Sequence, residues 1–245
     1  KRLQKKSEIF FQVNKSYEKY LCYERSDAFL IVLFYWAMKN NHDIVCEEVV
    51  SEDLCYQIKE YLMPILYKHS EDKLHLINID CKVGNNIENI GAVGTGLTCG
   101  VDSFHAIYNN LSSKYSSRKL THLVIMSLAD SYKKNGNYAK ITEDLYDKAR
   151  IVSKELKLPL IEIKSNIREL FPIPPMHTLI RMFGVYALQK LFGVYYFASG
   201  FPIWTFNIND SILTDSARYD LLLCKDLSRY SERRKFIFYA LCSYV

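Results

Sequence analysis

Residues 94–104 read Gly-Thr-Gly-Leu-Thr-Cys-Gly-Val-Asp-Ser-Phe, between an apolar strand-like run (92–97) and an amphipathic helix-like run (102–111). Small residues at a strand-to-helix turn let backbone N–H groups approach an anion, and the helix N-terminus adds partial positive charge. The hydroxyls of Thr98 and Ser103 are donors for phosphate oxygens. Asp102 would repel phosphate directly, so its presence among these donors implies a bridging Mg²⁺. A Gly-rich turn with a helix cap and no ligand uses the same residue types, and that alternative stays open here. Cys99 has two readings as well: a small buried residue, or a thiol whose pKa is lowered by the helix N-terminus.

Two common phosphate-binding patterns are excluded. No Gly-Lys-Ser/Thr follows the glycines, and Gly94-x-Gly96 has no glycine at 99. The stretch Thr98-Cys99-Gly100-Val101-Asp102-Ser103 instead resembles the Ser-Gly-Gly-x-Asp-Ser PP-loop of the ATP pyrophosphatases. That family includes asparagine and GMP synthetases, tRNA-modifying thiolases, lysidine synthetase and, nearest in style, the 7-cyano-7-deazaguanine synthases. Thr98 stands at the first Ser position and Cys99 at the first Gly, while Gly100, Asp102 and Ser103 match outright. In element order the resemblance runs over residues 91–225.

The resemblance implies that the turn binds the β- and γ-phosphates of ATP, with Mg²⁺ held through Asp102. A substrate then attacks the α-phosphorus, pyrophosphate leaves, and a nitrogen or sulfur nucleophile displaces AMP. Such chemistry needs electrostatic clamping more than a general base. On this reading Thr98, Cys99, Gly100, Val101, Asp102 and Ser103 cradle the nucleotide. Ser199 and Gly200, on a strand-to-loop turn after 194–198, lie near the α-phosphate, and Ser127 ends the strand that holds adenine through backbone groups. Asp102, Ser103 and Arg181 take the catalytic roles.

Other residues are weaker candidates. His177 and Arg181 are four apart at a helix start and share a face, so Arg181 is placed to neutralise a phosphate or a substrate carboxylate. Asn166 and Arg168 follow a strand and can face substrate, or Arg168 can pair at the surface. Asp210 and Asp215 can hold Mg²⁺ or an amine, or be solvated loop acids.

The elements that must position these groups alternate. Strands are expected at 8–13, 43–50 and 74–83, with helices at 28–39, capped by Asp27, and from Ser51, bending at Pro64. From residue 90 the pattern becomes longer βα repeats: strands at 92–97, 121–128, 160–164, 194–198 and 221–224. Helices are expected at 102–111 (apolar face Phe104, Ile107, Tyr108, Leu111), from Thr142, at 178–191 and from Ser231. The expected fold is α/β: a parallel twisted sheet with helices on both faces, Rossmann-like and of the PP-loop type, plus a smaller N-terminal α/β domain. The domains are drawn at 1–88 and 89–245, the second continuing past residue 245.

Composition sets the outer bounds. Hydrophobic residues at 49% and charged residues at 24% describe a globular chain able to build a core, not a disordered one. The net charge of +5 is spread along the chain, suits an anionic ligand, and forms no dense basic stripe for nucleic acid. Cysteines at 22, 46, 55, 81, 99, 224 and 242 make no CxxC pair, so they are read as reduced thiols of a cytoplasmic protein. The longest apolar run, 28–38, is about half the ~20 residues that span a bilayer. The expected activity is therefore ATP-dependent adenylate formation on a small carboxylate, amide or base, with Mg²⁺ as cofactor and no membrane partner. A non-catalytic nucleotide sensor is the first alternative, and a tRNA-modifying enzyme the second.

Overall fold

One inner strand of the second part shows how the layers arise. In β5 (His122–Ser127), Leu123 and Ile125 enter one buried cluster while Val124 enters another on the opposite face. A strand with both faces covered reads as an unbroken apolar run, as Leu-Val-Ile-Met does here. The computed structural model describes residues 9–69, 73–128, 136–170, 177–199 and 237–242, and the fold below concerns these.

Six strands form the main sheet in the order β1-β6-β5-β4-β7-β8. β4 (Ala92–Gly96), β5, β6 (Leu160–Ser165), β7 (Phe192–Ser199) and β8 (Ile237–Cys242) are parallel, and only the short edge strand β1 (Phe11–Val13) runs antiparallel, against β6. Counted from β4, the parallel strands lie in the order 3-2-1-4-5 of doubly wound, Rossmann-like folds, so the winding reverses between β4 and β7. On one face, α4 (Val101–Leu111) and α5 (Gly136–Leu156) bury Ile107, Tyr146 and Ala149 against Leu97, Leu123 and Ile125. Arg150 of α5 also grips Glu162 of β6 through Nε and Nη2, each at 2.8 Å. On the other face, α1 (Asp27–Asn40) and α7 (His177–Tyr186) pack together over Val124, Ile161, Ile163 and Phe197. Phe183 is their junction, edge-on to Phe29 at 5.5 Å and to Phe11 at 5.7 Å.

The N-terminal part adds a two-stranded parallel sheet, β2 (Ile44–Ser51) with β3 (Ile79–Gly84). The crossover between them is α2 (Glu52–Tyr56), a wide π turn over Gln57–Leu62, and α3 (Met63–His69). The π turn ends two residues before Pro64, a residue with no N–H for the helix ladder and the position where a bend was expected. One cluster of buried side chains runs from α1 and β2 through α7 to β7, and β1 joins the main sheet, so the parts on either side of residues 84–88 share a core.

Several local expectations are corrected. Ser26, not Asp27, takes the N-cap position of α1. Asp27 is fully buried, its carboxylate accepting from the Ser51 N–H at 2.7 Å and from the Ser51 hydroxyl. Residues 74–78 are not strand, and the helix expected from Thr142 already begins at Gly136. In α4 the buried face is Ser103, Ala106, Ile107 and Asn110, whereas Phe104 (42% exposed) and Tyr108 (79%) face outward. Residues 237–242, expected to lie in a terminal helix, form β8, whose β-branched and aromatic run suits a strand. The strand expected at 221–224 lies outside the described residues.

Burial raises the Asp27 carboxyl above the ordinary carboxylate range, against the smaller opposing effects of its Ser51 and Gln189 hydrogen bonds and the Arg25 charge. A raised folded-state value favours folding below the unfolded value of about 3.9, and that contribution is lost as pH rises through the folded value. The stability of Asp27→Asn relative to the natural chain should therefore grow as pH rises from about 4. Urea unfolding of both proteins across that window checks this, and a difference that shrinks with pH contradicts it.

Candidate functional site

β4 delivers the turn to the point where the winding reverses. Gly96 pairs with Val124 of β5 and Thr95 with Tyr196 of β7, and the Thr95 hydroxyl donates to the Tyr196 carbonyl at 2.9 Å. Leu97 continues the ladder by donating its N–H to Val124 O at 2.7 Å. Thr98, exposed, opens the turn, and Gly100 sits at the N-cap of α4 with φ −92° and ψ 167°.

No side chain caps α4. A glycine cap offers no side-chain acceptor to the first-turn amides, which point out of the helix end. The Ser103 hydroxyl is turned back and donates to Gly100 O at 2.8 Å, with the residue only 2% exposed. Ser103 thus braces the turn from beneath, while Val101 and Asp102 are exposed at the start of the helix.

Cys99 adopts φ +56°, the left-handed region that a Cβ disfavours. The backbone here has the shape that glycine takes most easily, at the position where the PP-loop pattern has glycine. The side chain packs against the cluster of Leu97, Ile107 and Tyr146. Burial pushes its thiol up, with Lys148 opposing weakly, so the reading of a thiol with lowered pKa is corrected in favour of a small packed residue. Cys99→Gly should leave stability within about 1 kcal/mol, because strain relief offsets lost packing and the entropy of glycine. Cys99→Val, β-branched in the same left-handed region, should cost about 1–3 kcal/mol. Denaturant unfolding ranks the two, and equal tolerance of valine and glycine would contradict this geometry.

Parallel strands bring further candidates to the same edge of the sheet. Ser127 ends β5, half-buried, three residues beyond the partner of Gly96. Ser199 ends β7, three residues beyond the partner of Thr95. Arg181 is exposed in the second turn of α7, and Gly184 of that helix lies against Met126, the next-to-last residue of β5. Thr98–Ser103, Ser127 and Ser199 therefore gather at one end of the sheet, with α7 beside it. His177 begins α7. Gly200, Asp210 and Asp215 lie outside the described residues.

The Asn166 Oδ1 accepts the Phe10 N–H at 3.0 Å, which ties the start of β1 to the end of β6. Arg168, exposed, donates its backbone N–H to Leu128 O at 2.9 Å. Sequence reasoning missed a small cleft of about 30 Å³ at the seam of the N-terminal part, lined by Ser51, Asp53, Asn86, Asn89, Tyr186 and Gln189 among others. The asparagine-rich run 85–89 was the only local sign of it. Among the described residues no helix is long and apolar enough to cross a membrane.

Comparison with protein-family models, curated proteins and solved structures finds no match to this chain.

Proposed function

We propose that the Thr98–Ser103 turn binds Mg²⁺-ATP and that the protein forms an adenylate, releasing pyrophosphate. The observation that carries this reading is the start of α4, with glycine at its N-cap and a left-handed residue before it, directly after the central strand at the winding reversal. Ligands of open α/β sheets sit in the crevice at that point. The residues fit the nucleotide: the first-turn amides and Thr98 suit phosphate oxygens, and exposed Asp102 suits a cation bridging to them. Mg²⁺ there would neutralise charge on the leaving pyrophosphate.

The chain's own residues would then divide the work. Thr98 and the amides from Val101 onward hold the leaving group, and Ser103 keeps the turn in shape from beneath. Backbone groups near Ser127 receive the base. Arg181 and the end of β7 at Ser199 stand nearest the reacting phosphorus and orient the acceptor, a small carboxylate, amide or nucleobase-like molecule. Donors fixed in place before reaction stabilise developing charge without reorganisation.

Phosphorus NMR of the protein with ATP, Mg²⁺ and candidate acceptors should show AMP and pyrophosphate. ADP and orthophosphate as the only products would overturn adenylation. ATP bound but unchanged with every acceptor would move the reading to a nucleotide sensor.

A further inference from the structure

Three cysteines far apart in sequence meet in the N-terminal part. Cys46 of β2 and Cys81 of β3 are partners across the parallel ladder, so their side chains leave the same face of the small sheet. Cys55 of α2 reaches Cys81 with 3.6 Å between the sulfurs. Cys55 is buried at 5% exposure, while Cys46 and Cys81 are half-buried. No group of three or more His, Cys, Asp or Glu side chains among the described residues is arranged to hold a metal ion. The contact between the two sulfurs is therefore not explained as a metal site.

We propose that Cys55 and Cys81 are an oxidisable dithiol, a modification site at which a peroxide closes a disulfide between α2 and β3. The sulfurs are in van der Waals contact and need to approach by only about 1.6 Å to reach the ~2.05 Å of a bond. Cys81, the more accessible of the two, reacts first. Its thiolate sulfur attacks one peroxide oxygen, an S–O bond forms, the O–O bond breaks, and the departing hydroxide takes the thiol's proton as water. The Cys55 sulfur then attacks the sulfenic sulfur. The S–S bond forms, the S–O bond breaks, and a second water leaves with the Cys55 proton. Two thiols together lose two electrons and two protons, and the peroxide becomes two waters.

The order of the steps has physical support. Burial, reinforced by the neighbouring Cys81 thiol, pushes the Cys55 thiol up, so Cys55 is the poorer first nucleophile, and its contact with Cys81 places it to close the bond once Cys81 is oxidised. The bond would tether α2, whose Asp53 and Leu54 line the small cleft, to the strand that leads into Asn86, whose side-chain amide donates to the Asp53 carboxylate. Oxidation would thus add a covalent tie beside that hydrogen bond.

The test is a non-reducing peptide map of the whole natural chain after dilute hydrogen peroxide and quenching. The expected result is a Cys55–Cys81 cross-linked peptide as the predominant disulfide, loss of two free thiols to labelling, and reversal by dithiothreitol. Cys46→Ser should keep the link and Cys81→Ser should abolish it. Because the map is read on the natural protein, the result does not depend on either variant folding. Cys81 advancing to sulfinic acid with Cys55 still free would overturn the proposal. So would a predominant Cys46–Cys81 link, or both thiols remaining free while Cys99 oxidises.

Discussion

If the turn binds Mg²⁺-ATP as proposed, Asp102→Asn is expected to lower Mg²⁺-dependent ATP turnover by about a hundredfold or more while the thermal midpoint stays nearly unchanged. The two halves of that result have separate causes. Asp102 is exposed at the start of α4, on the side of the helix away from Ser103, Ala106 and Ile107, so its replacement opens no cavity. The variant keeps the size and one acceptor oxygen of the side chain and loses the charge that would hold the cation. Metal titrations should show the loss as a rightward shift in Mg²⁺ dependence, and ATP affinity without metal should change little. Steady-state turnover at saturating Mg²⁺ against the natural protein is the deciding measurement. Equal turnover and equal metal dependence would remove Asp102 from the site and leave the turn to its amides alone.

Gly94→Val is expected to cost about 1–3 kcal/mol of stability, and to weaken nucleotide binding as well. A Cβ at Gly94 would come within 2.5 Å of Phe192 Cε1 and 3.0 Å of Tyr195 Cδ2. Phe192 has no free space into which to retreat: it is fully buried, edge-on to Tyr195 at 5.5 Å and to His122 at 6.4 Å. The strain therefore falls on the pairing of β4 with β7, the two strands between which the winding reverses. Gly94 lies four residues before Thr98, so a displaced β4 displaces the turn. Combining Gly94→Ala with Phe192→Leu should cost less than the two single changes added together, because the smaller side chain makes room for the new methyl. Urea unfolding of the four proteins measures that coupling, and strict additivity would show that the close approach is relieved elsewhere.

Much of the molecule was legible in the order of its residues. Strand-like runs at 92–97, 121–128 and 160–164 and the helix at 28–39 follow from periodicity and appear close to their expected bounds. The turn announced itself because small residues, two hydroxyls and an acid between a strand and a helix are informative at short range. Periodicity also marked α4 as amphipathic, but Phe104 and Tyr108 on its outer side show that apolar spacing names a stripe without naming what the stripe touches. The same limit explains residues 237–242. A short apolar run without flanking punctuation fits a buried strand or a buried helix, and only the free edge of β7 decides between them.

What tertiary structure alone decided concerns pairs of residues remote in sequence. Strand order, and with it the winding reversal beside the turn, depends on which strands find each other, and no local pattern encodes that. Asp27 looked like a helix cap because an acid before an apolar run usually is one; Ser51, 24 residues away, instead holds it inside the core. The meeting of Cys55 with Cys81 depends on how α2 lies over β3. Cys99 shows both levels at once. Its identity was a visible departure from glycine, but its left-handed backbone is imposed by the path the chain must take from the end of β4 into α4. Local residue type sets what a segment can do, whereas burial and long-range pairing select which of those options has the lowest free energy.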